Sequence, residues 1–359
     1  MSADATAIPR KDALVGYALV ALAILWIFAG NGFSSTSFNV FTGVMISAGI
    51  YAIAALGLNV HFGFTGLLNF GHVAFMAVGA YTAVLLVPHG VGRLGVVGGN
   101  WPLLPAILAG MALAAFLGLL LGIPTLRLRG DYLAIVTIAV GEILRLVARA
   151  AEGLTGGVFG VINFSNSLQN LRPGFVTTIA RELRVPPAQF FLLISIWTLV
   201  VLVWLGLRLL LRSPWGRVLK SIREDEEAAR ALGKNVVAYK RQSLMIGGAI
   251  GGLAGVMLAM SFGTVRPDTF LPLITFFVWA ILLIGGAGSF AGPIAGSVIF
   301  WAILSQTDSL ANTVFSSSAG GSAVAAFRFV LAGAFIMAVM IFRPQGLFGK
   351  KEELLLEIK

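Results

Sequence analysis

The sequence predicts an all-α fold: a polytopic membrane protein of about ten transmembrane helices. Three observations predict it. Of the 359 residues, 58% are apolar and only 11% are charged, against roughly 45–50% and about 25% in soluble domains. The apolar residues fall in uncharged runs close to the ~20 residues that a helix needs to cross a bilayer. Glycine is abundant, with 44 residues, and small residues let membrane helices approach closely. A water-soluble globular domain could not cover this much apolar surface, and disorder is excluded for the opposite reason.

The spans follow in order. The first, Ala13–Gly30, comes after Arg10 and Lys11. A signal peptide would have a shorter apolar core and then a polar mature domain. More apolar sequence follows instead, so this is read as a retained helix. Next come Val40–Val60, Gly71–Val87, Pro102–Ile123 and Tyr132–Ala148. A mixed segment, Arg149–Pro187, carries Thr155, Asn163, Asn166 and Asn170 and reads as an extended loop with short helices. The sixth span is Gln189–Leu211, followed by a charged stretch over 212–242. The last four are Ser243–Met260, Leu273–Gly285, Ala291–Ser305 and Val324–Phe342. Residues 1–12 are then a cytoplasmic N-terminal tail, 13–342 the transmembrane domain, and 343–359 a cytoplasmic C-terminal tail.

Net charge is +10. Membrane proteins concentrate Lys and Arg in cytoplasmic loops, which accounts for the excess without nucleic-acid binding. With the N-terminus inside and ten alternating spans, the cytoplasmic side receives Arg10, Lys11, Arg127, Arg129, the basic residues between Arg208 and Arg241, and Arg343, Lys350, Lys351 and Lys359. Most of the 25 basic residues therefore lie inside, with both termini cytoplasmic.

Two glycine-rich joints interrupt the helical pattern. One is Gly63–Gly71, between spans two and three; the other is Gly285–Pro293, between spans eight and nine. Irregular backbone at membrane depth is tolerated where it is buried in protein or lines a cavity. Interrupted segments in two halves can mark a transport pathway. Tight turns between packed helices are the plainer explanation, and both remain open.

There is no cysteine, which excludes disulfides, thiolate metal sites and cysteine nucleophiles. His61, His72 and His89 lack a zinc-type spacing. No phosphate-binding G-x-x-x-x-G-K-[ST], H-E-x-x-H or G-x-S-x-G motif occurs. The chain is therefore expected not to be an enzyme and to hold no cofactor; if ATP drives it, the ATPase is another chain.

The charged stretch is the most informative part. Ser213-Pro214 is a good helix start. Val218 and Ile222 share one helical face. Glu224-Asp225-Glu226-Glu227 opens a second short helix, where acidic side chains suit the positive end of the dipole. Gly233 suits the left-handed residue that ends it. A solvated loop is the plainer alternative.

Glu227-Ala228-Ala229 with Gly233 resembles the E-A-A-x-x-x-G coupling motif of ABC importer permeases. Residues Gly63–Tyr81 (GFTGLLNFGHVAFMAVGAY), Leu126–Leu146 (LRLRGDYLAIVTIAVGEILRL) and Phe342–Gly349 (FRPQGLFG) are similar to segments of the LivM-type permeases of branched-chain amino-acid ABC transporters. The family's I-x-L-P element is replaced by Gln242-Ser243-Leu244-Met245, as is usual in this branch, and Val158-Phe159-Gly160 stands where members often have Pro. The resemblance covers roughly Val40–Gly349. It implies a bacterial inner-membrane permease that moves branched-chain amino acids. It also implies a second, LivH-like permease subunit, two ATP-binding subunits that carry the ATP, and an extracytoplasmic substrate-binding protein. The ATPase would contact Glu226, Glu227, Ala228, Ala229 and Gly233. Permeases for urea and short amides share much of the pattern. A membrane enzyme would need an intramembrane catalytic cluster, and a proton-coupled transporter several intramembrane carboxylates.

Candidate pathway residues are Thr65, Gly66, Asn69, Gly71, Glu142, Gly286 and Gly288. Glu142 is a charge within a span, costly and functional by default, although Arg145 lies three residues on and can pair with it. His72 and Asn59 are read as hydrogen-bond partners at helix ends. Arg328 is expected to snorkel to the outer surface.

Overall fold

The computed structural model describes residues 10–29, 35–87, 99, 101–125, 130–162, 164, 168, 171–183, 185–314, 330, 333–334, 337–338, 341, 343 and 345–349. Apart from isolated positions, the expected span Val324–Phe342 lies outside the described residues, as do Asn163, Asn166, Asn170, Arg127, Arg129 and Arg328.

The helices are α1 (Arg10–Ala29), α2 (Ser35–His61), α3 (His72–Leu86), α4 (Leu103–Thr125), α5 (Gly130–Ala150), α6 (Glu152–Thr155), α7 (Gly174–Glu182), α8 (Pro187–Arg212), α9 (Pro214–Glu224), α10 (Glu226–Ala231), α11 (Val236–Phe262), α12 (Pro272–Gly285) and α13 (Gly292–Val314). Among the described residues, five helical stretches are long and apolar enough to cross a membrane: Phe38–His61, Leu103–Pro124, Pro187–Arg212, Val236–Phe262 and Pro267–Gly285. Shorter apolar helices are Gly16–Leu25, His72–Leu86 and Gly292–Gln306. Proline at the first turn opens α8, α9 and α12, where the missing N–H costs nothing.

The seventh expected span differs most at its start. Hydropathy places it at Ser243, but α11 begins at Val236 because the Asn235 side chain caps it, accepting the Ala238 N–H at 3.1 Å. A cap outweighs the charge of Lys240 and Arg241 in the early turns. A two-stranded antiparallel pairing also forms, β1 (Val161–Ile162) on β2 (Thr264–Val265). It ties the segment after α5 to the end of α11.

Helices α2 and α11 are the most enclosed of the long apolar stretches. α11 packs on α2, α3 and α4, and α2 also packs on α8 and α13. Glycine makes the α3–α4–α11 contact possible. A Cβ on Gly252 would lie 2.7 Å from the Ala114 Cβ, one on Gly110 would lie 2.7 Å from the Gly79 carbonyl oxygen, and one on Gly79 would strike the Gly252 backbone. The three backbones touch, which is how membrane helices gain packing energy where lipid removes the hydrophobic drive.

α3 has 15 residues, about 22 Å at 1.5 Å per residue, against a hydrocarbon core of about 30 Å. The irregular Gly63–Gly71 segment precedes it. Gly252→Val therefore lowers stability by about 2 kcal/mol through overpacking, whereas Gly206→Ala, at a helical position with nothing within 4 Å, does not lower it; thermal unfolding in detergent checks both.

Candidate functional site

The two glycine-rich joints meet. Asn59, in the last turn of α2, is 2% exposed. Its Nδ2 donates to the Ser289 carbonyl at 2.8 Å, and its Oδ1 accepts the Gly288 N–H at 2.8 Å. Phe64 lies against Phe290 with ring centroids 5.4 Å apart. The C-terminal segment closes the other side. The Leu347 and Phe348 N–H groups donate to the Ile284 and Gly285 carbonyls, both at 2.9 Å. Those carbonyls end α12 and have no partner within it. Part of the segment read as a C-terminal tail is thus packed inside, with Leu347 and Phe348 buried and Tyr17 of α1 edge-on to Phe348.

A buried polar cluster holds the first joint. The Asn69 Oδ1 accepts the Gly71 N–H at 3.0 Å. Its Nδ2 therefore donates to His61 Nδ1, 3.0 Å away. The remaining ring proton of neutral His61 sits on Nε2, which faces the Leu244 carbonyl at 3.3 Å. Trp279 Nε1 donates to the Asn69 carbonyl at 3.0 Å. Thr65 Oγ1 donates to the Val60 carbonyl at 2.9 Å and lies 2.8 Å from Ser243 Oγ. The Phe70 N–H donates to Thr137 Oγ1, and the Val73 N–H to Thr275 Oγ1. His72 is fully buried, edge-on to His61.

The candidate pathway residues are thus only partly gathered. Thr65, Asn69 and Gly71 share this cluster. Gly66 is exposed on the other side of the same loop, with φ +75°. Gly286 and Gly288, at φ +101° and +79°, shape the second joint. Glu142 lies apart. It holds Arg145 through two hydrogen bonds, at 2.5 and 3.0 Å, and Arg145 also reaches Asp268 at 2.8 Å. The Glu142 side chain stays 38% exposed. Near that end of the bundle, an open cleft of about 370 Å³ is lined by Tyr51, Phe262, Thr264, Arg266, Thr269 and Ile274.

The charged stretch folds as two helices. Pro214 opens α9, but the Ser213 hydroxyl turns back to the Leu210 carbonyl at 2.6 Å instead of capping. Asp225 is the cap of α10, accepting the Ala228 N–H at 2.9 Å. Glu226 pairs with Arg230 at 2.9 Å and with Lys240 of α11 at 2.5 Å. Ala229 is buried with Ile222 and Val236, against Val218 and Tyr239. Glu227, Ala228, Gly233 and Leu232 remain exposed, Leu232 at 78%. Gly233 is left-handed, with φ +77°. The segment is a small packed body with an exposed face.

Sequence reasoning missed Arg223, whose Nη1 donates to the Gly63 carbonyl at 2.5 Å. It missed Ser243, Thr137 and Trp279 as well. Each acts across a long sequence separation, where no local pattern marks it. The Asp225 cap was available from capping preferences alone.

Comparison with known proteins gives the class. A family profile described as "Branched-chain amino acid transport system / permease component" matches residues 40–342. The chain belongs to this family. It is 37% identical over 351 residues to the high-affinity branched-chain amino acid transport system permease protein LivM of Salmonella typhimurium, covering 94% of this chain and 75% of that protein. It is 36% identical over 358 residues to LivM of Escherichia coli K12, covering 96% and 76%. The high-affinity branched-chain amino acid transport system permease protein LivH of Salmonella typhimurium is 24% identical over 336 residues, covering 88% and 96%. No solved structure matches the chain.

Asn69→Leu strands the His61 Nδ1 and the Gly71 N–H in the interior and costs about 2 kcal/mol or more. Glu142→Gln, at a side chain 38% exposed whose partner Arg145 keeps Asp268, changes stability by less than about 1 kcal/mol. Thermal inactivation of the solubilised protein ranks the two.

Proposed function

We propose that the chain is the membrane permease subunit of an ATP-driven ABC importer that carries branched-chain, hydrophobic amino acids across the bacterial plasma membrane. The observation that carries this reading is the α9–α10 body, with Glu227, Ala228 and Gly233 on its exposed face and Ala229 locking it to α11. An exposed helix pair between two long apolar helices, its second helix capped by Asp225, is a lever for another protein. Its partner is an ATP-binding subunit, present in two copies, and ATP resides there. A LivH-like second permease completes the membrane portion, and an extracytoplasmic binding protein delivers substrate.

The reading includes ten spans with both termini in the cytoplasm. Helix directions support the alternation. The end of α2, through Gly63, and the end of α4, where a Gly122 Cβ would lie 2.7 Å from Arg241 Cγ, sit beside the α9–α11 connection. The end of α5, through Arg145 and Asp268, and the end of α3, where Tyr81 meets Phe270, lie near the far end of α11. Residues 1–12 and 343–359 flank the 13–342 permease domain on the cytoplasmic side, with Leu347 and Phe348 packed against α12 and Tyr17, and 212–242 is the coupling loop.

Substrate passes beside the two joints, past Thr65, Gly66, Asn69, Gly71, Gly286 and Gly288. Glu142 stands at the outer end with its carboxylate still partly in solvent. Backbone and amide groups there can meet the charged ends of an amino acid, and the surrounding apolar walls suit its side chain.

Labelled-substrate uptake in a deletion strain tests this. Expression of the chain restores leucine uptake, excess valine competes, and urea does not. Gly233→Asp, which strains a left-handed position without crowding any neighbour, abolishes uptake while leaving the protein in the membrane. Leucine uptake that is independent of the chain, or competition by urea, overturns the substrate assignment.

A further inference from the structure

The ATPase-facing segment touches the first joint, and the first joint touches the second, through one residue. We propose that Arg223 and Asn59 are the two arms of a relay centred on Gly63, which converts displacement of α9 into displacement of the Gly285–Pro293 joint. The relay rests on the reading of α9–α10 as the docking segment and specifies how that segment acts.

On the input side, α9 and α10 are packed as a unit. Ile222 and Ala229 pack on Val236, and Glu226 ties α10 to Lys240. From this unit the Arg223 guanidinium donates to the Gly63 carbonyl at 2.5 Å. Hydrogen bonds with one charged partner are the stronger kind. Lys220 Nζ stands 5.8 Å from the centroid of the Phe64 ring, and the stem of Arg223 lies against Gly66. Two side chains one turn apart on α9 thus hold consecutive residues of the first joint.

On the output side, Gly63 is in backbone contact with the second joint. A Cβ there would lie 2.5 Å from the Gly288 nitrogen and would collide with Asn59 Oδ1. The Asn59 side chain at this contact is itself pinned by the Gly288 N–H. Asn59 grips the second joint at both ends of its amide, through Gly288 N–H and the Ser289 carbonyl. Gly286 and Gly288 have backbone conformations that L side chains rarely adopt, so the gripped segment is a bend between α12 and α13. Contacts of this kind carry displacement because packed interfaces shift between discrete arrangements and do not deform smoothly.

The competing route is along α8 and α11, the continuous helices that leave the charged segment. That route needs neither Arg223 nor Asn59. Both are positioning residues, so the decisive readout is transport per ATP and not binding or stability. The complete complex, with ATPase, second permease and binding protein, is reconstituted in proteoliposomes carrying Arg223→Ala, Arg223→Lys, Asn59→Ala or Arg223→Ala with Asn59→Ala. The relay predicts that Arg223→Ala and Asn59→Ala each assemble and hydrolyse ATP but lose roughly tenfold in amino acid moved per ATP, within the usual range of coupling between sites. Arg223→Lys retains most of the coupling, because an ammonium still reaches the carbonyl. The double variant is no worse than either single one, as expected for two groups on one line. Arg223 is on the exposed surface of α9, so its result stands even if Asn59→Ala fails to assemble. Unchanged transport per ATP in Arg223→Ala, or a double-variant loss equal to the product of the single losses, overturns the relay. Wild-type uptake that needs no ATPase subunit overturns the functional reading itself.

Discussion

The structure depends on satisfying irregular backbone where water is scarce. Each unpaired N–H or C=O in the hydrocarbon region costs several kcal/mol. The Gly63–Gly71 segment meets this constraint with side chains drawn from the whole bundle. Asn69 takes the Gly71 N–H, Thr137 of α5 takes the Phe70 N–H, and Trp279 of α12 supplies the Asn69 carbonyl, while just beyond the segment Thr275 of α12 takes the Val73 N–H in the first turn of α3. The Gly285–Pro293 segment is served by Asn59 and by the Leu347 and Phe348 backbone. Helices distant in sequence are thereby fixed to one another at these two irregular segments.

The joints are therefore held by partners outside themselves. Their hydrogen bonds are made between elements, so moving one element changes the bonds of the next. A chain of ordinary turns would let each helix move alone. The close approach of Gly252, Gly79 and Gly110 serves the same end from within the bundle. It holds the backbones of α3, α4 and α11 in contact.

Much of this was legible in the sequence. Hydropathy marked the helical stretches, with boundaries displaced mainly where caps and prolines decided them, as at Asn235 and Pro187. The glycine-rich joints were evident from composition, and Gly233 from its place after a short acidic-start helix. What was not legible is the partnering. Nothing near residue 59 says that its amide holds residues 288 and 289, and nothing near residue 223 points to the Gly63 carbonyl. Ser213 illustrates the limit of local rules: sequence marks it as a cap, yet its hydroxyl has a nearer acceptor at Leu210. Glu142 shows the converse case. Its pair with Arg145 is the short-range contact that spacing predicts, while Asp268 as the third member is a tertiary fact.

The most direct measurement is amide hydrogen exchange of the assembled transporter with and without bound ATP. Exchange reports local opening segment by segment. If the α9–α10 body and the joints are linked as described, residues 63–71 and 285–293 are well protected in the resting complex. Their protection then changes together with that of 214–233 when ATP binds. A change confined to 214–233, with both joints unaltered, would contradict the account.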